Sequence, residues 1–138
     1  MKGWEVMREG LKIGDSAKIT AKVTKEMFAQ FGGEVVHPVY STAWMVYHME
    51  WAARKLLVPV LEADEEGMGA AVTVKHIAPS GLGTNIAVTA TVTAIRDRLL
   101  ITKVLARNEG GIIGEGEVKQ AILPKNTIDA NVKKATPT

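Results

Sequence analysis

Three side chains can take part in acyl chemistry: Thr42, Glu50 and His76. Thr42 begins the stretch 42–57, Glu50 lies within it, and His76 lies on a later segment of the chain. The stretch 42–57, TAWMVYHMEWAARKLL, combines good helix formers with apolar residues three and four apart, which predicts a helix. In that helix Glu50 shares a face with Thr42 and Met49, so we expect its carboxylate to point toward the core. A buried carboxylate needs hydrogen bonds, partial solvation or a shifted pKa, and each of these favours a chemical role.

Each of the three residues also has a structural interpretation. Thr42 alone is typical of a helix cap, a role that Ser41 can also fill, and His76 alone is typical of a hydrogen-bonded core histidine. Glu50 alone favours function, because fully buried glutamate is rare unless it is paired. The expected convergence of all three favours a shared reactive site.

Two other histidines are weaker candidates. His48 lies about 200° from Glu50 around the helix, so we expect it to be exposed. His37 precedes the helix in a loop, where a substrate contact and a solvated turn are equally compatible with the sequence. Gly69 can let the backbone approach a ligand closely.

The elements that must position these residues follow from periodicity. One or two helical turns are predicted at Lys25 to Phe31, a loop at Glu34 to Tyr40 because a residue before proline avoids helical geometry, and a short helix at 126–134. Strands are predicted at 17–23, from Gly69 through His76, at 84–95, at 99–107 and at 112–123. This order predicts an α+β fold, a five-stranded antiparallel sheet around one central helix.

Composition narrows the classes of function. The 138 residues fit a single domain, 1–138, with an extended arm at 1–14. No apolar run approaches the roughly 18 residues of a membrane span, and a net charge of +2 with scattered basic residues argues against nucleic acid. The absence of cysteine excludes disulfides and thiolate nucleophiles, and neither metal-ligand spacing nor a glycine-rich phosphate motif is present, so we expect no metal and no cofactor. The start lacks the apolar segment of a signal peptide, which favours a cytoplasmic protein, and a long strand edge favours a homodimer.

Two segments, YSTAWMVYHMEW from Tyr40 and VTVKHIAPSGLG from Val72, resemble the hotdog-fold thioesterases, and among them the fluoroacetyl-CoA thioesterase-like group. The resemblance implies a hotdog fold, a homodimer, and an acyl-CoA bound near the subunit interface. It further implies that Thr42, Glu50 and His76 are a catalytic triad and that Gly69 is a substrate-site glycine.

The chain departs from that group at two places. Gln120 stands where the group has an arginine, so recognition of coenzyme A is expected to differ. Val35, Val36 and His37 stand where its lid is rich in phenylalanine, so selectivity for a fluorinated acyl group is not inferred from the resemblance. Val36, His37 and Gln120 are the remaining candidate substrate contacts.

The predicted activity is hydrolysis of a small or medium acyl-CoA, with Glu50 as nucleophile or as general base. The alternative is a non-catalytic hotdog protein that binds acyl-CoA or another apolar ligand. A hydratase on the same fold is disfavoured because no Asp-x4-His signature is present, and a purely structural dimer predicts that removing the Glu50 charge stabilises the protein.

Overall fold

A computed structural model describes residues 10–137 of the protein, so most of the predicted N-terminal arm lies outside the described residues. The strands are β1 Ser16–Lys22, β2 Phe28–Phe31, β3 Glu34–Tyr40, β4 Glu65–His76, β5 Asn85–Arg96, β6 Leu99–Asn108 and β7 Gly111–Pro124, and the helices are α1 Thr42–Leu57 and α2 Lys125–Ala135. Two short 3-10 turns lie at Lys25–Met27 and Val58–Val60. Among these elements, no helix is long and apolar enough to cross a membrane.

The predicted α+β architecture is confirmed. Five strands form one antiparallel sheet in the order β1-β5-β6-β7-β4, and α1 packs against all five of them. Alternation along β5 and β6 turns Val88, Val92 and Val104 toward the helix, where they are fully buried. Strand β4, which carries the candidate site residues Gly69 and His76, lies at one edge of this sheet.

Local signals at Ser41 and Pro59 define the two ends of helix α1. The Ser41 side chain accepts a hydrogen bond from the Trp44 backbone N–H at 3.0 Å, which caps the first turn. Pro59 lies in the 3-10 turn that follows Leu57 and cannot continue the hydrogen-bond ladder. The predicted bounds of the central helix are therefore correct.

The expected orientation of two side chains on α1 is wrong. Glu50 is exposed rather than turned to the core, and His48 is buried, with 2% of its surface exposed. The buried stripe centres on Met45, Met49 and Leu56. Since successive residues are rotated by about 100°, Glu50 falls beyond one rim of this stripe while His48 lies inside the other.

The segment before α1 also differs from the prediction. Only Lys25–Met27 forms a helical turn; Phe28–Phe31 and Glu34–Tyr40 pair as an antiparallel hairpin instead of a helix and a loop. Gly32 and Gly33, with φ of 60° and 86°, form the turn between the strands. Pro38 is compatible with β3 because a two-stranded sheet leaves one edge of each strand unpaired.

Close packing of α1 on the sheet depends on two glycines. A Cβ atom at Gly67 of β4 would overlap the side chain of Leu57, and one at Gly114 of β7 would overlap the side chain of Met45. Both ends of the helix therefore approach the sheet at positions where no side chain intervenes. This approach fixes the direction of α1 relative to β4: the helix C-terminus lies near the start of the strand.

Candidate active site

Thr42 and His76 meet at one end of the α1–β4 pair. Thr42 is the first residue of α1 and His76 is the last residue of β4. The Thr42 Oγ1 and His76 Nδ1 atoms are 2.8 Å apart, a hydrogen-bond distance. The other ring nitrogen, His76 Nε2, is shielded from solvent and has no hydrogen-bond partner within the described part of the chain. We call this pair the Thr42–His76 half-site.

Glu50 lies beside Gly69, two turns further along α1. A Cβ atom built at Gly69 would be 3.2 Å from Glu50 Oε1, so the carboxylate rests over the backbone of β4 where a side chain is missing. The strand is also irregular here, with a register shift between Gly69 and Ala71. We call this pair the Glu50–Gly69 half-site.

The Glu50 carboxylate borders a depression of about 330 Å³ that Tyr47, Trp51 and Arg54 also line. The Arg54 guanidinium does not neutralise Glu50, because its Nη2 donates to Glu66 Oε2 at 2.9 Å. A backbone hydrogen bond from Gly67 and this contact with Arg54 lower the pKa of Glu66. Over residues 10–137, no ion pair or hydrogen bond engages the Glu50 side chain, which leaves its oxygens available.

The two half-sites are separate within one protomer. Thr42 and Glu50 are eight positions apart, which is about 12 Å along a helix axis. Gly69 and His76 are seven positions apart, which is roughly 23 Å along a strand. The structure thus brings Thr42 to His76 and Glu50 to Gly69, and it does not bring all of them together in a single chain.

The other candidate contacts are divided in the same way. Gln120 is buried on β7 directly across from Gly69, and its Nε2 donates to the backbone carbonyl of Ala53 at 3.1 Å. Its amide therefore ties the sheet to α1 one turn after Glu50. Val36 and His37 lie exposed on β3 of the hairpin that leads into the helix.

Tyr40 and His48 form a buried pair beside His76 that was not predicted from the sequence. Tyr40 is fully buried, its hydroxyl lies 2.6 Å from His48 Nδ1, and the two rings stack with centroids 5.7 Å apart. Burial lowers the pKa of His48 and raises that of Tyr40, so it favours the neutral form of both side chains of this hydrogen-bonded pair. The edge of Tyr40 also contacts the His76 ring, with centroids 6.4 Å apart. This pair was missed because helical periodicity predicted that His48 is exposed.

Comparison with known proteins agrees with the fold. Residues 23–126 match the model of the fluoroacetyl-CoA-specific thioesterase family. The chain belongs to this family. It is therefore a thioester hydrolase with a hotdog fold, as the sequence predicts.

Individual relatives match over nearly their whole length. The fluoroacetyl-CoA thioesterase of Streptantibioticus cattleyicolor is 28% identical over 137 residues, covering 95% of this chain and 99% of its own. A crystal structure of a thioesterase superfamily member from Thermus thermophilus has a TM-score of 0.89 and 38% identity, over 92% of this chain and 94% of that one. A mutant of the fluoroacetyl-CoA-specific thioesterase has a TM-score of 0.84 and 26% identity, over 93% and 99% of the two chains.

Proposed function

We propose that the protein hydrolyses an acyl-CoA thioester to a free acid and coenzyme A, with Glu50 as the nucleophile or the general base. The observation that carries this proposal is the composition of the two half-sites. One holds an unpaired carboxylate beside a backbone without a side chain, and the other holds a hydroxyl hydrogen-bonded to an imidazole. These are the groups that attack a carbonyl, bind its developing oxyanion and protonate a leaving group.

We further propose that the two half-sites combine across a twofold dimer. β4 is a 12-residue edge strand, and an open edge of this length can pair with a second copy of itself. An axis near Val72 and Thr73 would place Gly69 opposite the partner's His76, because positions equidistant from the axis pair in an antiparallel ladder. Each active site would then use Glu50 from one subunit with the partner's Thr42 and the partner's His76.

Exposed aromatic residues support burial of this face in a dimer. Tyr47 and Trp51 flank Glu50 on α1 and leave 52% and 48% of their surfaces exposed in the protomer. Half-exposed aromatic side chains beside an open strand edge are typical of a surface that a partner covers. A second subunit would also exclude water from Glu50, which strengthens its interactions with the reacting groups.

In the general-base route, Glu50 accepts a proton from water as the oxygen attacks the thioester carbonyl carbon. The Thr42 hydroxyl donates to the developing oxyanion while accepting a hydrogen bond from Nδ1 of protonated His76. The carbon–sulfur bond breaks, and the thiolate takes the proton of the Thr42 hydroxyl, which is replaced by the proton from His76 Nδ1. The proton held by Glu50 then returns to the imidazole, which restores the starting state.

In the nucleophilic route, a Glu50 oxygen attacks the carbonyl carbon and forms a mixed anhydride as the thiolate leaves with the His76 proton. Water then hydrolyses the anhydride, which releases the acid, regenerates the Glu50 carboxylate and returns a proton to His76. Acid quenching during turnover followed by intact mass spectrometry separates the routes. Protein carrying the mass of the acyl group indicates the anhydride, and unmodified protein throughout indicates the general base.

The test of the function is release of free thiol from acetyl-, fluoroacetyl-, butyryl- and phenylacetyl-CoA. We expect turnover of at least one thioester and a loss of about 100-fold or more in kcat for Glu50→Gln, since the amide can neither accept the proton nor attack. Glu62→Gln, at an exposed glutamate outside both half-sites, is the matched control and should retain wild-type kcat. Full activity of Glu50→Gln would contradict the role of Glu50.

Absence of turnover with the whole panel would contradict hydrolysis itself. The alternative, a non-catalytic protein that binds acyl-CoA, would then predict that acyl-CoA raises the melting temperature without any release of thiol.

A further inference from the structure

A cleft of about 250 Å³ opens beside Thr42, between strand β2 and the first turn of α1. Three aromatic side chains, those of Phe28, Phe31 and Trp44, line it. Phe28 and Trp44 are partly buried, while Phe31 leaves 78% of its surface exposed and lies at the rim. The cleft thus begins at a proposed catalytic residue and is walled mainly by apolar surface.

The polar groups of the cleft are mostly occupied. The Ser41 hydroxyl accepts the helix-capping hydrogen bond, and Gln30 Nε2 lies 3.2 Å from the carbonyl of Glu26 and 3.3 Å from that of Phe28. Among the residues that line the cleft in the described chain, Glu26 carries a charge and none is lysine, arginine or histidine. A carboxylate entering the cleft would lose its hydration without gaining a cation.

From this geometry we infer that the cleft receives the acyl group of the substrate, and that this group is neutral and apolar and extends up to the size of a phenylacetyl group. The inference rests on the proposed thioesterase function. A cavity of about 150 Å³ lined by apolar side chains holds benzene, so 250 Å³ accommodates a phenyl group with its linking methylene. Ala29 and Ala43 keep the cleft open, because larger side chains at these positions would occupy it.

Substrate selectivity is the first test. We expect kcat/KM for phenylacetyl-CoA to exceed that for acetyl-CoA by about tenfold or more, since each buried methylene contributes about fourfold. Succinyl-CoA should be at least about tenfold poorer than butyryl-CoA, because it brings an unpaired carboxylate toward Glu26. Equal or higher kcat/KM for acetyl-CoA, or equal values for succinyl- and butyryl-CoA, would overturn the inference.

A variant that fills the cleft is the second test. Ala43 is exposed on the first turn of α1, so Ala43→Leu should leave the fold intact. We expect it to lower kcat/KM for phenylacetyl-CoA about tenfold and for acetyl-CoA less than threefold. Ala130→Leu, at an exposed alanine of α2, is the matched control and should change neither value.

Removal of the rim gives an independent measurement. Phe31→Ala should lower kcat/KM for phenylacetyl-CoA severalfold with little change for acetyl-CoA, and its high exposure predicts no loss of melting temperature. If Ala43→Leu and Phe31→Ala affect both substrates equally, the cleft does not hold the acyl group.

The experiments distinguish failure of the cleft assignment from failure of the proposed thioesterase function. Turnover of acetyl-CoA that is insensitive to acyl size and to these variants overturns the assignment of the cleft and leaves the thioesterase function standing. No turnover of any thioester contradicts the function and the acyl assignment together.

Discussion

Replacing Gly69 by alanine perturbs Glu50 without touching its chemistry. The added Cβ would lie 3.2 Å from Glu50 Oε1, whereas ordinary contacts of a Cβ atom fall between 3.4 and 4 Å. The exposed carboxylate must therefore move by a few tenths of an ångström. Because a displacement of 1 Å in an active site can reduce the rate about 100-fold, we expect Gly69→Ala to lower kcat about four- to tenfold.

Steady-state release of free thiol measures this effect, and thermal unfolding separates it from a loss of stability. Gly69 does not have a positive φ, so alanine fits the backbone and the melting temperature should stay within about 2 °C of the wild type. Gly81→Ala, where no atom lies within 4 Å of the new Cβ, is the control and should keep the wild-type kcat. A kcat for Gly69→Ala equal to that of the wild type would refute the placement of Glu50 over Gly69 in the reaction.

Three further predictions concern stability. Gly67→Ala drives a methyl group into Leu57 and should lower the free energy of unfolding by about 1–3 kcal/mol in urea, and an unchanged midpoint would contradict the close approach of α1. Tyr40→Phe removes the hydroxyl that hydrogen-bonds to His48 Nδ1 and should cost about 1 kcal/mol in the same assay; equal stability would show that the hydrogen bond contributes nothing. Burial lowers the pKa of His48 from its ordinary value of 6.5, so the unfolded state binds the proton more readily. The free energy of unfolding should therefore be highest above pH 6.5 and should decrease as the pH falls through the lowered pKa. A His48→Gln protein with the same pH dependence would exclude His48 as the cause.

The elements of the fold were predictable where periodicity and end signals agree. The bounds of α1 follow from the Ser41 cap and the proline after Leu57, and the strands follow from alternation. The β2–β3 hairpin was missed because Pro38 argues locally for a loop, and pairing between strands overrides that preference. Propensity read along the chain carries no information about such a partner.

The sequence suggested the residues of the proposed site but not their arrangement. Periodicity suggested that Thr42, Glu50 and His76 lie on faces turned toward one another, and the structure places Thr42 Oγ1 and His76 Nδ1 2.8 Å apart. Glu50 was predicted to face the core because it shares a helix face with the apolar residues Val46 and Met49. The buried stripe of α1 instead centres on Met49 and extends away from Glu50, toward His48. The distance between the half-sites depends on how α1 runs along β4, which only the packing at Gly67 and Gly114 establishes.

The most direct test of the shared active site uses a mixed dimer. Protomers carrying Glu50→Gln and His76→Ala, with different affinity tags, are co-expressed, and the heterodimer is isolated by two successive affinity steps. If each site combines Glu50 of one subunit with the partner's His76, one of the two sites contains both substitutions and the other contains neither. A shared active site predicts about half of the wild-type kcat from heterodimers whose parent homodimers are inactive. A heterodimer as inactive as its parents would contradict it.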